Sequence, residues 1–393
     1  MKKKKKFKKL KILIPVLLIL IGGFYILKNT DLFSNYITIK YKNSIHDVVP
    51  KQVVTEKKIS LIMVGDALIH AAVYSDAKNN GSYDFKPMFS EVKDVFESSE
   101  LRFYNQETIL GGTSLGLSNY PQFNSPQEVG DAFMNMGFNL VSLATNHTLD
   151  KGVSTGYKTI TNSREYWDKQ ANVIAAGSYT SNESRDAVVV KEVNGIKYGL
   201  LAYTTNTNGL KVPKGKEYYV NVYDEDIVKK DIEKLRDKVD LLIVSMHWGV
   251  EYSHNVSSKQ KEIAKYLSEL GVDIIIGTHP HVVEPIEFIN NTLVVYSLGN
   301  FISAQIGVEK LTGLVAKVDI TKTTKGNEST IKLSNPSADL VYTCKASTCG
   351  HFKVYKYSDL TDKILPNHKS YYEKYMKIVR SLDSNIGTIF TKE

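Results

Sequence analysis

Two segments share a pattern that restricts the fold. VDLLIVSMHWGVEY (residues 239–252) and VDIIIGTHPHVVEPIE (residues 272–287) each open with a short run of apolar residues that stops at histidine and glycine. Between them lies SSKQKEIAKYLSELG (257–271), with helical spacing and a terminal glycine. Short unbroken apolar strands suit a sheet interior covered on both faces, and strands joined through helices suit parallel pairing. The alternation runs through most of the chain. KISLIMVGD (58–66), LRFYNQE (101–107), FNLVSLA (138–144), ANVIAAG (171–177), GIKYGLLAYTT (195–205), TLVVYSLGNF (292–301) and GLVAKVDIT (313–321) read as further strands. DFKPMFSEVKDVF (84–96), GYKTITNSREYWDKQ (156–170), DEDIVKKDIEKLRDKV (224–239) and YEKYMKIVRSLD (372–383) read as helices. Another helix is expected from Ser125 to Gly137, with Ser125 as cap, Pro126 in the first turn and Glu128 closing a capping box. The expectation is an α/β protein with helices on the sheet faces.

Charge placement excludes one class of partner. The net charge is +8, and Lys2, Lys3, Lys4, Lys5, Lys6, Lys8, Lys9 and Lys11 account for all of it. The rest of the chain is balanced, so no basic face for nucleic acid is expected. ILIPVLLILIGGFYIL (12–27) follows the lysines directly and is flanked by Lys11 and Lys28, which can snorkel. Lysines on the N-terminal side place that end in the cytoplasm, and the bulky FYILKNTDLF after it lacks a small-residue cleavage site. Residues 1–28 are therefore expected to be a cytoplasmic lysine cluster and a single-pass membrane helix, in preference to a cleaved signal peptide. The polar segment 29–57 reads as a stalk, with the main domain extracellular. That location permits a disulfide between the only cysteines, Cys344 and Cys349, in preference to a zinc pair.

Working residues in α/β folds sit beyond the carboxyl ends of strands. His70, His147, His247, His254, His279 and His281, six of the nine histidines, fall at or near such places, as do Asp66 and Glu107. Pro280 is expected to hold His279 extended, so that His279 and His281 face one side. Imidazoles, carboxylates and the amide of Asn146 suit zinc, manganese or iron. The donors exceed what one ion needs. A two-metal centre is expected, with Glu107 bridging, able to acidify water and polarise the bond it attacks.

VGDALIH, NQET, YPQFNSP, LATNHTLDKG, MHWGVEY, GTHPHVVEPIE and YSLGNF occur, in this order, over residues 58–305. In these motifs the chain resembles the CapA/PgsA family of capsule and poly-γ-glutamate biosynthesis proteins. The resemblance implies a calcineurin-like metallophosphoesterase fold, a two-sheet sandwich flanked by helices. It implies Asp66, Glu107, Asn146, His247, His279 and His281 as metal positions, with His147 protonating a leaving group. The superfamily opens with Asp-x-His, whereas here Leu68 follows Asp66 and Ala67. Either His70 replaces that ligand or it is an ordinary loop residue. Asn105-Gln106-Glu107 and Thr145-Asn146-His147 keep the other metal positions. Glu251 is either a partner behind the ligands, a substrate contact or a surface carboxylate. Asn300 is expected to fix a turn near the site.

The functional expectation is an outward-facing protein of poly-γ-glutamate or related anionic capsule polymer synthesis, with a metal-dependent hydrolase or transferase centre acting on an amide or phosphoester. Other membrane components of the synthesis complex are the expected partners. The alternatives are a non-catalytic accessory subunit of such a complex and a phosphoesterase on small or lipid phosphates. Residues 306–393 are expected to be an extension packing on the domain.

Overall fold

The apolar faces decide the layering. The structure, a computed structural model, describes residues 54–390 and, ahead of them, only Leu18 and Leu20. Strands β1 (Val54–Ala67) and β2 (Leu101–Asn105) are followed by helix α1 (Glu128–Asn135), β3 (Leu140–Ser142), α2 (Lys158–Asp168) and β4 (Ile174–Ala176). Next come β5 (Lys191–Val193), β6 (Ile196–Thr204), α3 (Glu225–Arg236), β7 (Leu241–His247), α4 (Ser258–Glu269) and β8 (Ile274–Thr278). The chain continues through β9 (Ile286–Ile289), β10 (Thr292–Val295), β11 (Asn300–Ile302), β12 (Thr312–Lys325), β13 (Glu328–Cys344), β14 (Lys353–Lys356) and α5 (His368–Val379).

One sheet has eight strands, in the order β14-β13-β12-β1-β2-β3-β4, with β11 also paired to β1. The other has six, in the order β9-β10-β8-β7-β6-β5. β1 to β4 run parallel, as do β6, β7, β8 and β10. Alternate residues of each strand serve opposite faces. Leu61 and Met63 of β1 and Phe103 of β2 share one buried cluster with Leu200 of β6, Ile243 of β7 and Ile276 of β8. Their neighbours Ile62 and Val64 turn the other way, into a cluster with Phe133 of α1 and Trp167 of α2. Leu242, Val244 and Ile275 pack on Ile232 of α3 and Leu267 of α4. The protein is thus a mixed α/β structure, two sheets face to face with helices outside.

Several local expectations are corrected. Ser125 does not cap α1. The helix starts at Glu128 with no side-chain cap, and the Ser125 hydroxyl instead donates to Thr108 Oγ1 at 2.9 Å. Residues 84–96 are helical in two short pieces, a 3-10 helix at Lys86–Phe89 and a four-residue α-helix at Lys93–Phe96, instead of one helix. TLVVYSLGNF is two strands, β10 in one sheet and β11 in the other. Residues 312–356 supply three strands of the eight-stranded sheet itself. The expected disulfide between Cys344 and Cys349 is present. Among the described residues no helix is long and apolar enough to cross a membrane. The expected membrane helix, apart from Leu18 and Leu20, and the stalk up to residue 53 lie outside the described residues.

The segment between β10 and β11 crosses from one sheet to the other and must touch both backbones. Asp66 donates its N–H to Gly299 O at 2.9 Å, and Leu298 donates to Gly277 O at 3.1 Å. A Cβ on Gly65 would overlap the carbonyl oxygen of Gly299, and one on Gly277 would overlap that of Tyr296. Only glycine allows this approach. Gly65→Ala is expected to destabilise the fold by about 3 kcal/mol, the upper part of the usual overpacking range. Urea unfolding of wild type and variant measures it, and an unchanged midpoint would contradict the role given to the crossing.

Candidate metal centre

The two sheets end together, and their last residues meet. Asp66 of β1 lies in register with Asn105 of β2 and Asn300 of β11, and His247 of β7 with Thr278 of β8. Glu107 follows β2 by two residues, Asn146 and His147 lie in the loop after β3, and His279 and His281 follow β8. The six residues expected as metal positions are all buried here.

His279 and His281 reach the site by a different route from the one expected. Neither is extended: their φ angles are +98° and +60°. The turn is held from outside, by Trp248 N–H on Thr278 O at 3.0 Å and Tyr252 N–H on Pro280 O at 2.8 Å. Left-handed backbone at two non-glycine residues costs of order 1–3 kcal/mol each and persists only where the surroundings impose it. Both rings still enter one site, their centroids 6.0 Å apart, with His247 4.7 Å from His279.

Two triplets form. Glu107, His247 and His279 each bring a ligand atom within 4.8 Å of the others, and so do Asp66, Glu107 and His281. Glu107 belongs to both. Its Oε1 is 3.8 Å from His247 Nε2 and 3.6 Å from His281 Nε2. Asn146 Oδ1 joins the first triplet, 2.9 Å from His247 Nε2. Orientation comes from behind: Thr278 Oγ1 lies 2.9 Å from His247 Nδ1, Asn300 Oδ1 3.1 Å from His281 Nδ1, and Asn105 Nδ2 donates to Asp66 Oδ1 at 2.8 Å. Among these buried atoms, both Glu107 oxygens and His279 Nδ1 have no hydrogen-bond partner. A buried polar atom left bare is costly. A divalent cation answers all three, so the donors fit a metal.

Beside the triplets is a cavity of about 380 Å³, lined by His147, His281, His70, Glu251, Tyr252 and Tyr120 among others. His147 Nδ1 is 2.6 Å from Asp150 Oδ2, which also accepts the Phe123 N–H at 2.7 Å. Asp150, three residues after His147 in NHTLD, is a site residue that the strand-end pattern does not mark. Thr278 and Asn105, beside the histidine and glutamate motifs, gain their orienting roles only from contacts across the fold. His70 lines the cavity but joins neither triplet. Its Nδ1 lies 3.1 Å from Leu68 O and 3.3 Å from Ala304 N. Glu251 lies on the exposed rim. Asn300 touches His281 directly while its amide donates to Gln305 and to Lys310 O, both at 2.9 Å, so it ties the turn to the site. His254 is elsewhere, on Val283 O at 2.7 Å.

Burial and neighbouring charge set the protonation. Burial holds His247 well below the ordinary imidazole range, with His279 and His281 adding to it, and holds His279 at about 4. Both are therefore in the neutral, metal-binding form. Burial also acts against charge on His281, but the Glu107 and Asp66 carboxylates outweigh it and raise the imidazole to about 9. Burial pushes the Glu107 carboxyl up, and His281 opposes that. The pair keeps a proton at neutral pH that an incoming cation must displace. Binding of a divalent ion at pH 7 is expected to release about one proton from this pair, and affinity is expected to rise with pH up to about 9. Calorimetry in buffers of different ionisation enthalpy measures the release. A buffer-independent enthalpy would contradict it.

Residues 60–305 match the profile of the family described as bacterial capsule synthesis protein PGA_cap. The PGA biosynthesis protein CapA of Bacillus subtilis (strain 168) is 28% identical over 253 residues, covering 63% of this chain and 64% of that protein. The capsule biosynthesis protein CapA of Bacillus anthracis is 26% identical over 269 residues, covering 66% of this chain and 63% of that one. The chain thus spans less than two thirds of the length of these relatives. Among solved structures, a putative 5′-nucleotidase from Staphylococcus aureus aligns with a TM-score of 0.45 at 14% identity, covering 81% of this chain and 58% of that chain. With the profile covering more than half of its residues, the chain belongs to the bacterial capsule synthesis protein family, the CapA/PgsA family.

Proposed function

We propose that the protein acts in the synthesis of poly-γ-glutamate or a related anionic capsule polymer. It is held at the cell membrane by residues 12–27, with the two-sheet domain outside, and works beside other membrane components of the synthesis complex. Its centre, in this reading, is a two-ion hydrolase or transferase centre of the metallophosphoesterase kind, acting on an amide or phosphoester bond. Family membership supports the polymer, and the name of the Bacillus subtilis relative supports poly-γ-glutamate in particular. One observation carries the centre: Glu107 is shared by two buried triplets while both its oxygens lack a partner.

Glu107, His247, His279 and Asn146 would hold one ion, and Asp66, Glu107 and His281 the other. Imidazole nitrogen with carboxylate and amide oxygen suits manganese, zinc or iron. Divalent ions there would supply Lewis-acid polarisation of the bond under attack and lower the pKa of water. The residues do the rest. Thr278 and Asn300 fix the rings of His247 and His281. Asp150 engages His147 Nδ1 and fixes the ring, which leaves Nε2 to deliver a proton to a leaving group in the cavity. The buried floor excludes bulk water and strengthens each of these interactions.

The test combines metal content with turnover. The purified protein, reconstituted with manganese, zinc or iron, is expected to carry bound ions by elemental mass spectrometry and to lose them in Glu107→Ala and His279→Ala. Asp150→Asn is expected to keep the metal and lose roughly 10²-fold or more in kcat on polymer or phosphoester substrates. No bound ion after reconstitution would contradict the centre and leave a non-catalytic accessory subunit as the better reading.

A further inference from the structure

We infer that the two positions of this centre hold their ions unequally. The inner position keeps its ion, and the outer one, beside the cavity, fills and empties with free cation. Turnover is then gated by metal supply. This rests on the two-ion reading given above.

The donor sets differ in number. The inner set has Glu107, His247 and His279, with Asn146 Oδ1 2.9 Å from His247 Nε2 as a fourth donor. The outer set has Asp66, Glu107 and His281. Of these six residues only His281 lines the cavity, which places its set on the open side. Leu68, two residues past Asp66, lines the same cavity with an apolar side chain. His70 does not make up the deficit, because it joins neither triplet and its Nδ1 is taken up by the backbone of Leu68 and Ala304.

The sets also differ in readiness. Glu107 is bare but serves both sets; in the inner set His279 Nδ1 is bare as well, and the one contact to open, His247 Nε2 with Asn146 Oδ1 at 2.9 Å, joins two atoms that would bind the same ion. The outer donors are already engaged. Asp66 Oδ1 accepts from Asn105 at 2.8 Å, and Asp66 Oδ2 lies 3.3 Å from His281 Nδ1 and 3.4 Å from the His279 N–H. Fewer donors, already committed to protein partners, mean weaker binding. The outer position also keeps room for a substrate oxygen, which is where an exchangeable ion acts on turnover.

The test is a manganese titration of the full-length, chelator-stripped protein, with free manganese followed by electron paramagnetic resonance. Wild type is expected to take up one ion at least about tenfold more tightly than a second. Asn146→Ala is expected to weaken the tight ion and narrow the difference without altering the weak one. Asp66→Ala is expected to abolish the weak ion alone, and His70→Ala to change neither. Two ions of equal affinity in wild type would overturn the inference while leaving the two-ion reading intact. Loss of the tight ion in Asp66→Ala would overturn it as well. The wild-type titration decides the matter even where a variant fails to fold. No bound ion at all would overturn the two-ion reading, and this inference with it.

Discussion

A carboxylate with nothing to hold it organises this molecule. Glu107 is 1% exposed, and neither of its oxygens has a hydrogen bond. An ionised carboxylate in such a place is expensive unless positive charge is supplied. The protein supplies it only in part, through the His281 imidazole. Everything around Glu107 is arranged as donors facing the same small volume: two further imidazoles in neutral form, a second carboxylate and an amide oxygen. A core selected for stability alone would fill that volume with apolar side chains. Keeping it polar and incompletely satisfied makes sense as preparation for a cation.

That arrangement depends on two sheets ending at one place. The crossing segment Tyr296–Gly299 joins them. It leaves β10 of the six-stranded sheet, touches β8 and β1, and enters the eight-stranded sheet as β11. Asn300, the first residue after the crossing, then orients His281. The same short stretch thus sets the spacing between the sheets and the aim of one ligand. The left-handed turn at His279 and His281 is the other half of this junction, and its strain is borne by contacts from Trp248 and Tyr252 in the loop after β7.

Much of this was legible in the residues. Apolar runs gave the strands because a strand covered on both faces needs apolar side chains on both. Stops at Asp66, Glu107, His247 and His279 marked the carboxyl ends because only there can polar side chains reach solvent or a metal. What was not legible depends on distant partners. Nothing local in TLVVYSLGNF says that it changes sheets, since the reason lies in the bare backbone at Gly65 and Gly277. The residue before a proline is pushed out of the right-handed helical region, and extended backbone was the natural expectation. Hydrogen bonds to Thr278 and Pro280 from residues far back in the chain selected the left-handed alternative. Ser125 had the sequence of a cap, but its hydroxyl donates to Thr108 and the helix begins only at Glu128. Asp150, three residues after His147, is within reach of a local argument, since that spacing lets its carboxylate meet the His147 ring.

The most direct measurement is anomalous diffraction from crystals soaked in manganese. The account predicts density shared by Glu107 with His247, His279 and Asn146, and a second, less occupied position between Glu107, Asp66 and His281. Ions bound only elsewhere on the protein, with Glu107 left bare or reached by a lysine or arginine, would contradict it.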